Sequence, residues 1–121
     1  MASRILVVDD EPAVRELVSR ALRDDGHEVV SVADGKVALG RASEGDIDLV
    51  ITNSRMPGMS GAELIAILSD RFPGLPLLHI DDPSQTTSRE HRVPDDVVTL
   101  NEPFSPTSLR VTVEGLLARK R

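Results

Sequence analysis

Short runs of branched apolar residues alternate along the chain with longer stretches in which apolar positions recur every three or four residues. Residues 5–8 are apolar throughout and end abruptly in Asp9 and Asp10, which predicts a strand covered on both faces. Pro12 suits the first turn of a helix, and Val14, Leu17, Val18, Ala21 and Leu22 then recur at helical spacing until Asp25 and Gly26 stop the pattern. Residues 28–32 predict a second strand, and Val37, Ala38, Leu39 and Ala42 a short helix ending near Gly45. The alternation continues with a strand over 49–52 and a helix carrying Leu64, Ile65, Ile67 and Leu68 as far as Phe72, before Pro73 and Gly74. Strands over 75–80 and 97–100 follow. A last helix opened by Ser105 and Pro106 carries Leu109, Val113, Leu116 and Leu117. The stretch DDPSQTTSREHR, from Asp81 to Arg92, has no large apolar residue and therefore no face to bury. A solvated connection is expected there, with a fourth helix that is short or disordered.

Strands alternating with helices imply a parallel sheet covered on both faces and built from right-handed crossovers. The expected fold is a flavodoxin-like (βα)5 three-layer sandwich, with five parallel strands in the order 2-1-3-4-5 and residues 1–121 forming one domain. Function in such sheets collects beyond the carboxyl ends of the strands. Asp9, Asp10, Asn53, Asp81 and Glu102 should therefore converge on one rim.

Composition narrows the possibilities. The chain has 121 residues, 40% of them hydrophobic and 28% charged, as expected of a folded domain. Without cysteine there is no disulfide framework and no thiolate metal site. No apolar run approaches a membrane span and no signal pattern opens the chain, so the expectation is a cytoplasmic protein with no membrane partner. A net charge of −6, no Trp, no Tyr and two Phe argue against nucleic acid as a direct ligand. His79 lies in an apolar strand and reads as a core histidine, Phe104 as a core or loop anchor, and His27 and His91 as loop residues.

The segments RILVVDDEP, DLVITNSRMPGMSG and LNEPF stand in the order and spacing of one family, and the chain resembles the CheY-like receiver domain of two-component response regulators. The resemblance implies that paired acids after the first strand and an aspartate ending the third hold Mg²⁺, and that this aspartate accepts phosphate from a histidine kinase. It further implies that a hydroxyl after strand four and a lysine before Pro-Phe bind the phosphoryl oxygens, and that an aromatic on strand five completes a switch. A carboxylate attacks an anionic phosphoryl group only when cations offset the repulsion, because this catalysis is mostly positioning and charge stabilisation.

Several of these positions differ here. Asp9 and Asp10 match the acidic pair, but the phosphoacceptor position is Asn53, whose amide cannot form an acyl phosphate. Asp81 stands for the hydroxyl, Glu102 for the lysine and Thr99 for the aromatic, and Arg55 occupies the position whose backbone carbonyl reaches the metal. The expectation is a pseudo-receiver that acts through a protein partner, which could be a histidine kinase, an output domain or a second copy. The resemblance points to helix one, and to the last helix with its neighbouring strand, as the surfaces for kinase docking and dimerisation. No cofactor is required; Mg²⁺ or another divalent cation, if retained, is held weakly by Asp9, Asp10, Asn53 and the Arg55 carbonyl. No catalytic residue is assigned.

Two alternatives stand beside this reading. One is a phosphorylatable receiver in which Asn53 is an engineered replacement of Asp, or in which Asp10 or Asp81 is the acceptor. The other is a metal-dependent phosphatase of the haloacid dehalogenase type, which requires two aspartates one residue apart where VVDDEP has them adjacent. Four carboxylates at one rim also raise an electrostatic problem, since two charges ~4 Å apart repel by about 4 kcal/mol at an effective dielectric of roughly 20. Side chains turned outward, a raised carboxylate pKa or a bound cation would relieve it.

Overall fold

The computed structural model describes residues 3–82 and 93–120. Their order is β1 (Arg4–Val8), α1 (Pro12–Asp24), β2 (Glu28–Val32), α2 (Gly35–Ala42), β3 (Leu49–Asn53), α3 (Gly61–Arg71), β4 (Leu77–Asp81), β5 (Val98–Asn101) and α4 (Pro106–Lys120). The five strands form one sheet in the order β2-β1-β3-β4-β5, and every neighbouring pair is parallel. This is the flavodoxin-like order expected from the alternation. The fourth helix expected to be short or disordered falls on a segment whose residues 83–92, His91 among them, lie outside the described residues.

Strand alternation sends successive side chains to opposite faces and so divides the core in two. On one face Ile5, Val7, Leu49, Ile51, Leu78 and Ile80 pack against Val18 and Leu22 of α1 and Leu109, Val113, Leu116 and Leu117 of α4. On the other, Leu6, Val8, Val50 and Leu77 pack against Ala38 and Ala42 of α2 and Leu64, Ile65 and Leu68 of α3. Three helix starts have side-chain caps, and on α4 the Ser105 hydroxyl oxygen accepts the Ser108 N–H at 3.0 Å. The Asp34 carboxylate accepts the Val37 N–H at 2.9 Å, and Ser60 and Glu63 form a reciprocal capping box on α3.

Strand boundaries and two helix faces differ from the sequence pattern, beginning with β1, which starts one residue early at Arg4. β4 starts at Leu77 because the Leu75 N–H closes a turn onto the Phe72 carbonyl at 3.1 Å, and the strand runs on to Asp81. β5 lies one residue later than expected, and β3 includes Asn53. Leu17 is 57% exposed, while Ser19 is buried. Each helical residue turns about 100°, so a stripe centred on Val18, Leu22 and Ser19 leaves Leu17 on its far side. Val37 in α2 is exposed for a similar reason.

His27 sits in a connection, as expected, and its ring is buried. The Ser3 N–H donates to Nδ1 at 3.2 Å and Nε2 lies 2.8 Å from Glu114 Oε1, which ties α4 to the start of β1. Asp25, His27 and Glu114 are close enough together to suggest a metal site. With Nδ1 accepting an N–H, however, Nε2 carries the ring proton and gives it to Glu114, the reverse of a ligating histidine. At the edge opposite the acidic rim, Asp46 accepts from Arg41 at 2.5 and 3.0 Å and from Arg4, which also pairs with Glu28. Those guanidinium groups hold the Asp46 carboxyl down to about 2.

Candidate functional site

β1 and β3 are adjacent, and their register places Val8 beside Thr52. The residues that follow, Asp9 and Asn53, therefore meet at the carboxyl edge of the sheet. Asp9 is buried at 3% exposure, whereas Asp10 is exposed. Asp9 Oδ1 accepts the Glu11 N–H at 2.9 Å and faces Asn53 Nδ2 at 3.4 Å. The same Nδ2 donates to the Arg55 carbonyl at 3.2 Å. Arg15, on the first turn of α1, reaches back to the Asp9 carbonyl at 2.7 Å. The sequence pattern had not marked it, because its only signal is a cation one turn into the helix that follows the acids.

The backbone holds this corner tightly. Ser54 N–H donates to the Ile80 carbonyl at 2.9 Å, and Gly61 N–H to the Ser54 carbonyl at 3.0 Å. A Cβ on Gly61 would lie 2.1 Å from the Asn53 carbonyl oxygen, so only glycine lets the start of α3 approach β3 this closely. Asp10, Arg55, Met56 and Pro57 line a shallow cleft beside the amide.

Glu102 joins the rim from β5 through its backbone, its N–H donating to the Asp81 carbonyl at 2.7 Å. Burial pushes the Glu102 carboxyl up, and the charges of Asp9, Asp82, Glu11 and Asp81 push it further. Burial likewise raises Asp9, against the lowering effects of the Glu11 N–H and the Asn53 amide. Of the three ways to relieve the crowded carboxylates, the raised pKa is the one that applies to Glu102 and Asp9, and Asp10 is exposed to solvent. Thr99 is not part of this group. It is exposed on the sheet face that carries His79, and its hydroxyl lies 3.4 Å from His79 Nδ1. His79 is buried, as a core histidine would be.

As they stand, these groups do not form a metal's ligand set. The oxygens of Asp9 and Arg55 that would face a cation face an N–H donor, which leaves the exposed Asp10 carboxylate at the cleft as the one acid of the pair not engaged by the amide.

The family model of the response regulator receiver domain matches residues 5–111. The chain belongs to that family. Receiver domains in general hold Mg²⁺ at the phosphorylation site, and response regulators work with histidine kinases and output domains. This receiver is 35% identical over 118 residues to the probable transcriptional regulatory protein TcrX of Mycobacterium tuberculosis, covering 95% of this chain and 50% of that protein. It is 32% identical to the DNA-binding response regulator MtrA of Mycolicibacterium smegmatis, covering 98% of this chain and 52% of that protein. The receiver thus spans about half the length of these curated relatives. Among solved structures, the chemotaxis response regulator CheY4 of Vibrio cholerae superposes with a TM-score of 0.83 at 28% identity, covering 96% of this chain and 99% of that one. The receiver domain of the hybrid histidine kinase CckA gives 0.79 at 35% identity, covering 95% and 99%. Among the described residues no helix is long and apolar enough to cross a membrane.

Proposed function

We propose that this receiver domain is a pseudo-receiver, which works by protein–protein interaction and does not take a phosphoryl group at its central position. The observation that carries this reading is the Asn53 side chain, an amide whose nitrogen is already donating to Asp9 and Arg55. An amide has no nucleophilic oxygen of carboxylate strength. The neighbouring charges act in the same direction, since Asp81 and Glu102 present carboxylates where a phosphoryl group needs donors.

Turnover is not proposed either. A phosphatase of the haloacid dehalogenase type needs two aspartates one residue apart, whereas Asp9 and Asp10 are adjacent. The partner surface proposed is the cleft of about 410 Å³ between α1 and the β5–α4 connection, where Val14, Leu17, Pro103 and Phe104 meet Glu102 and Asp82. A helix of a kinase carrying an apolar residue with basic neighbours would suit it.

Incubation with acetyl phosphate and Mg²⁺ followed by intact-mass measurement tests the proposal, and the expected result is no added mass. A phosphate mapped by fragmentation to Asp9, Asp10 or Asp81 would replace this reading with that of a divergent but active receiver.

A further inference from the structure

The two oxygens that accept from Asn53 Nδ2 are the Asp9 carboxylate at 3.4 Å and the Arg55 carbonyl at 3.2 Å. Reversing the amide would set its oxygen face to face with a carboxylate and a carbonyl, with no donor between them, so chemistry selects the orientation with nitrogen inward. A divalent cation placed among these groups would need the same two oxygens. We infer that the Asn53 amide takes the place of the cation, closing this rim with an internal donor and excluding Mg²⁺. The inference does not depend on whether any other carboxylate can be phosphorylated.

Amide and ion are mutually exclusive on geometric grounds. For a cation to enter, the Asn53 side chain must turn over, give up both hydrogen bonds and offer Oδ1 instead. Asp9 Oδ1 is also engaged by the Glu11 N–H at 2.9 Å. Mg²⁺ keeps several of its waters and is held by one or two carboxylates, so the buried Asp9 oxygen that two N–H groups already occupy is the ligand it would have to win back. With aspartate at this position the balance reverses. Two carboxylates and a carbonyl would then converge with no N–H between them, and only a cation could hold them together.

The experiment uses the whole chain, titrated with Mg²⁺ up to about 10 mM, and reads both melting temperature and the side-chain amide resonances of Asn53. In the native sequence neither should move. Asn53→Asp should acquire a saturable rise in melting temperature that EDTA abolishes. Asn53→Ala, which lacks the donor without adding a charge, should melt lower than the native sequence and recover part of the loss in Mg²⁺. Asn53 resonances that shift with Mg²⁺ in the native chain overturn the inference, and this readout decides even when a variant fails to fold. So does an Asn53→Asp protein as indifferent to Mg²⁺ as the native one, because the amide would then not be what keeps the ion out.

Discussion

Exchanging one carboxylate oxygen for an NH₂ group turns residue 53 from an acceptor into a donor, and its neighbours are arranged to suit the donor. The change of one residue back to aspartate should therefore not be enough to restore phosphorylation. Asn53→Asp supplies a nucleophile but adds a further carboxylate beside Asp9 and the already elevated Glu102. Adding Glu102→Lys reverses a charge at the rim, and Asp81→Thr removes another and offers a hydroxyl. One preorganised donor is typically worth about 3 to 4 kcal/mol, or roughly a hundredfold to a thousandfold in rate. Acetyl-phosphate labelling and beryllofluoride binding should accordingly be poor in the single variant and substantial in the triple one. Equal labelling of the two would mean that Asp81 and Glu102 do not face the reacting oxygen. At this scale the strand ends made the proximity of Asp9 and Asn53 legible, and the family resemblance implied the Arg55 carbonyl beside them. The inward turn of the amide nitrogen, the reach of Arg15 and the burial of His27 were not, because each depends on partners from other elements.

Among elements, those with a strong period were readable and those set by a neighbour were not. β1 and β3, buried on both faces, are continuous apolar runs whose ends in sequence are nearly their ends in space. The start of β4 was misplaced because Leu75 is apolar but belongs to a turn stabilised by Phe72. In α1 the spacing identified the helix but assigned Leu17 to the wrong side. Its buried stripe is set by the angle at which α4 and the sheet approach, and Ser19 is small enough to sit inside it. That misplacement bears on the proposed partner surface, since Leu17, left 57% exposed on α1, lines the cleft beside Phe104 together with Val14. The α3 start depended on Gly61, whose role no local pattern announces, because the obstacle to a larger residue is a carbonyl eight positions earlier in the chain.

For the molecule as a whole, the acidic rim and the ion pairs at the opposite edge should give stability a maximum in mildly acidic solution. Glu102 is raised from 4.5, chiefly by burial, so the folded state holds its proton more tightly than the unfolded one. Its contribution is full below 4.5 and is lost as pH rises through the folded value. Asp46 has the opposite sign: it is lowered from 3.8 to about 2, so its contribution is present above 3.8 and is lost as pH falls through about 2. Melting temperature should rise on going from neutral pH toward the first window and fall on entering the second. Glu102→Gln should raise it at neutral pH and flatten the upper limb while leaving the lower one. An unchanged upper limb in that variant would place the cause elsewhere. The hydrogen bond from Ser54 N–H to the Ile80 carbonyl has a consequence for chemical ageing. Deamidation of an asparagine begins when the next backbone nitrogen attacks the side-chain carbon, and here that nitrogen is held in the sheet while the amide itself is bonded to Asp9 and Arg55. Folded protein stored for days should keep its asparagine, and peptide mass analysis of samples held in denaturant should show the gain of about one mass unit at Asn53 much sooner. Conversion of residue 53 to aspartate then becomes a record of time spent unfolded.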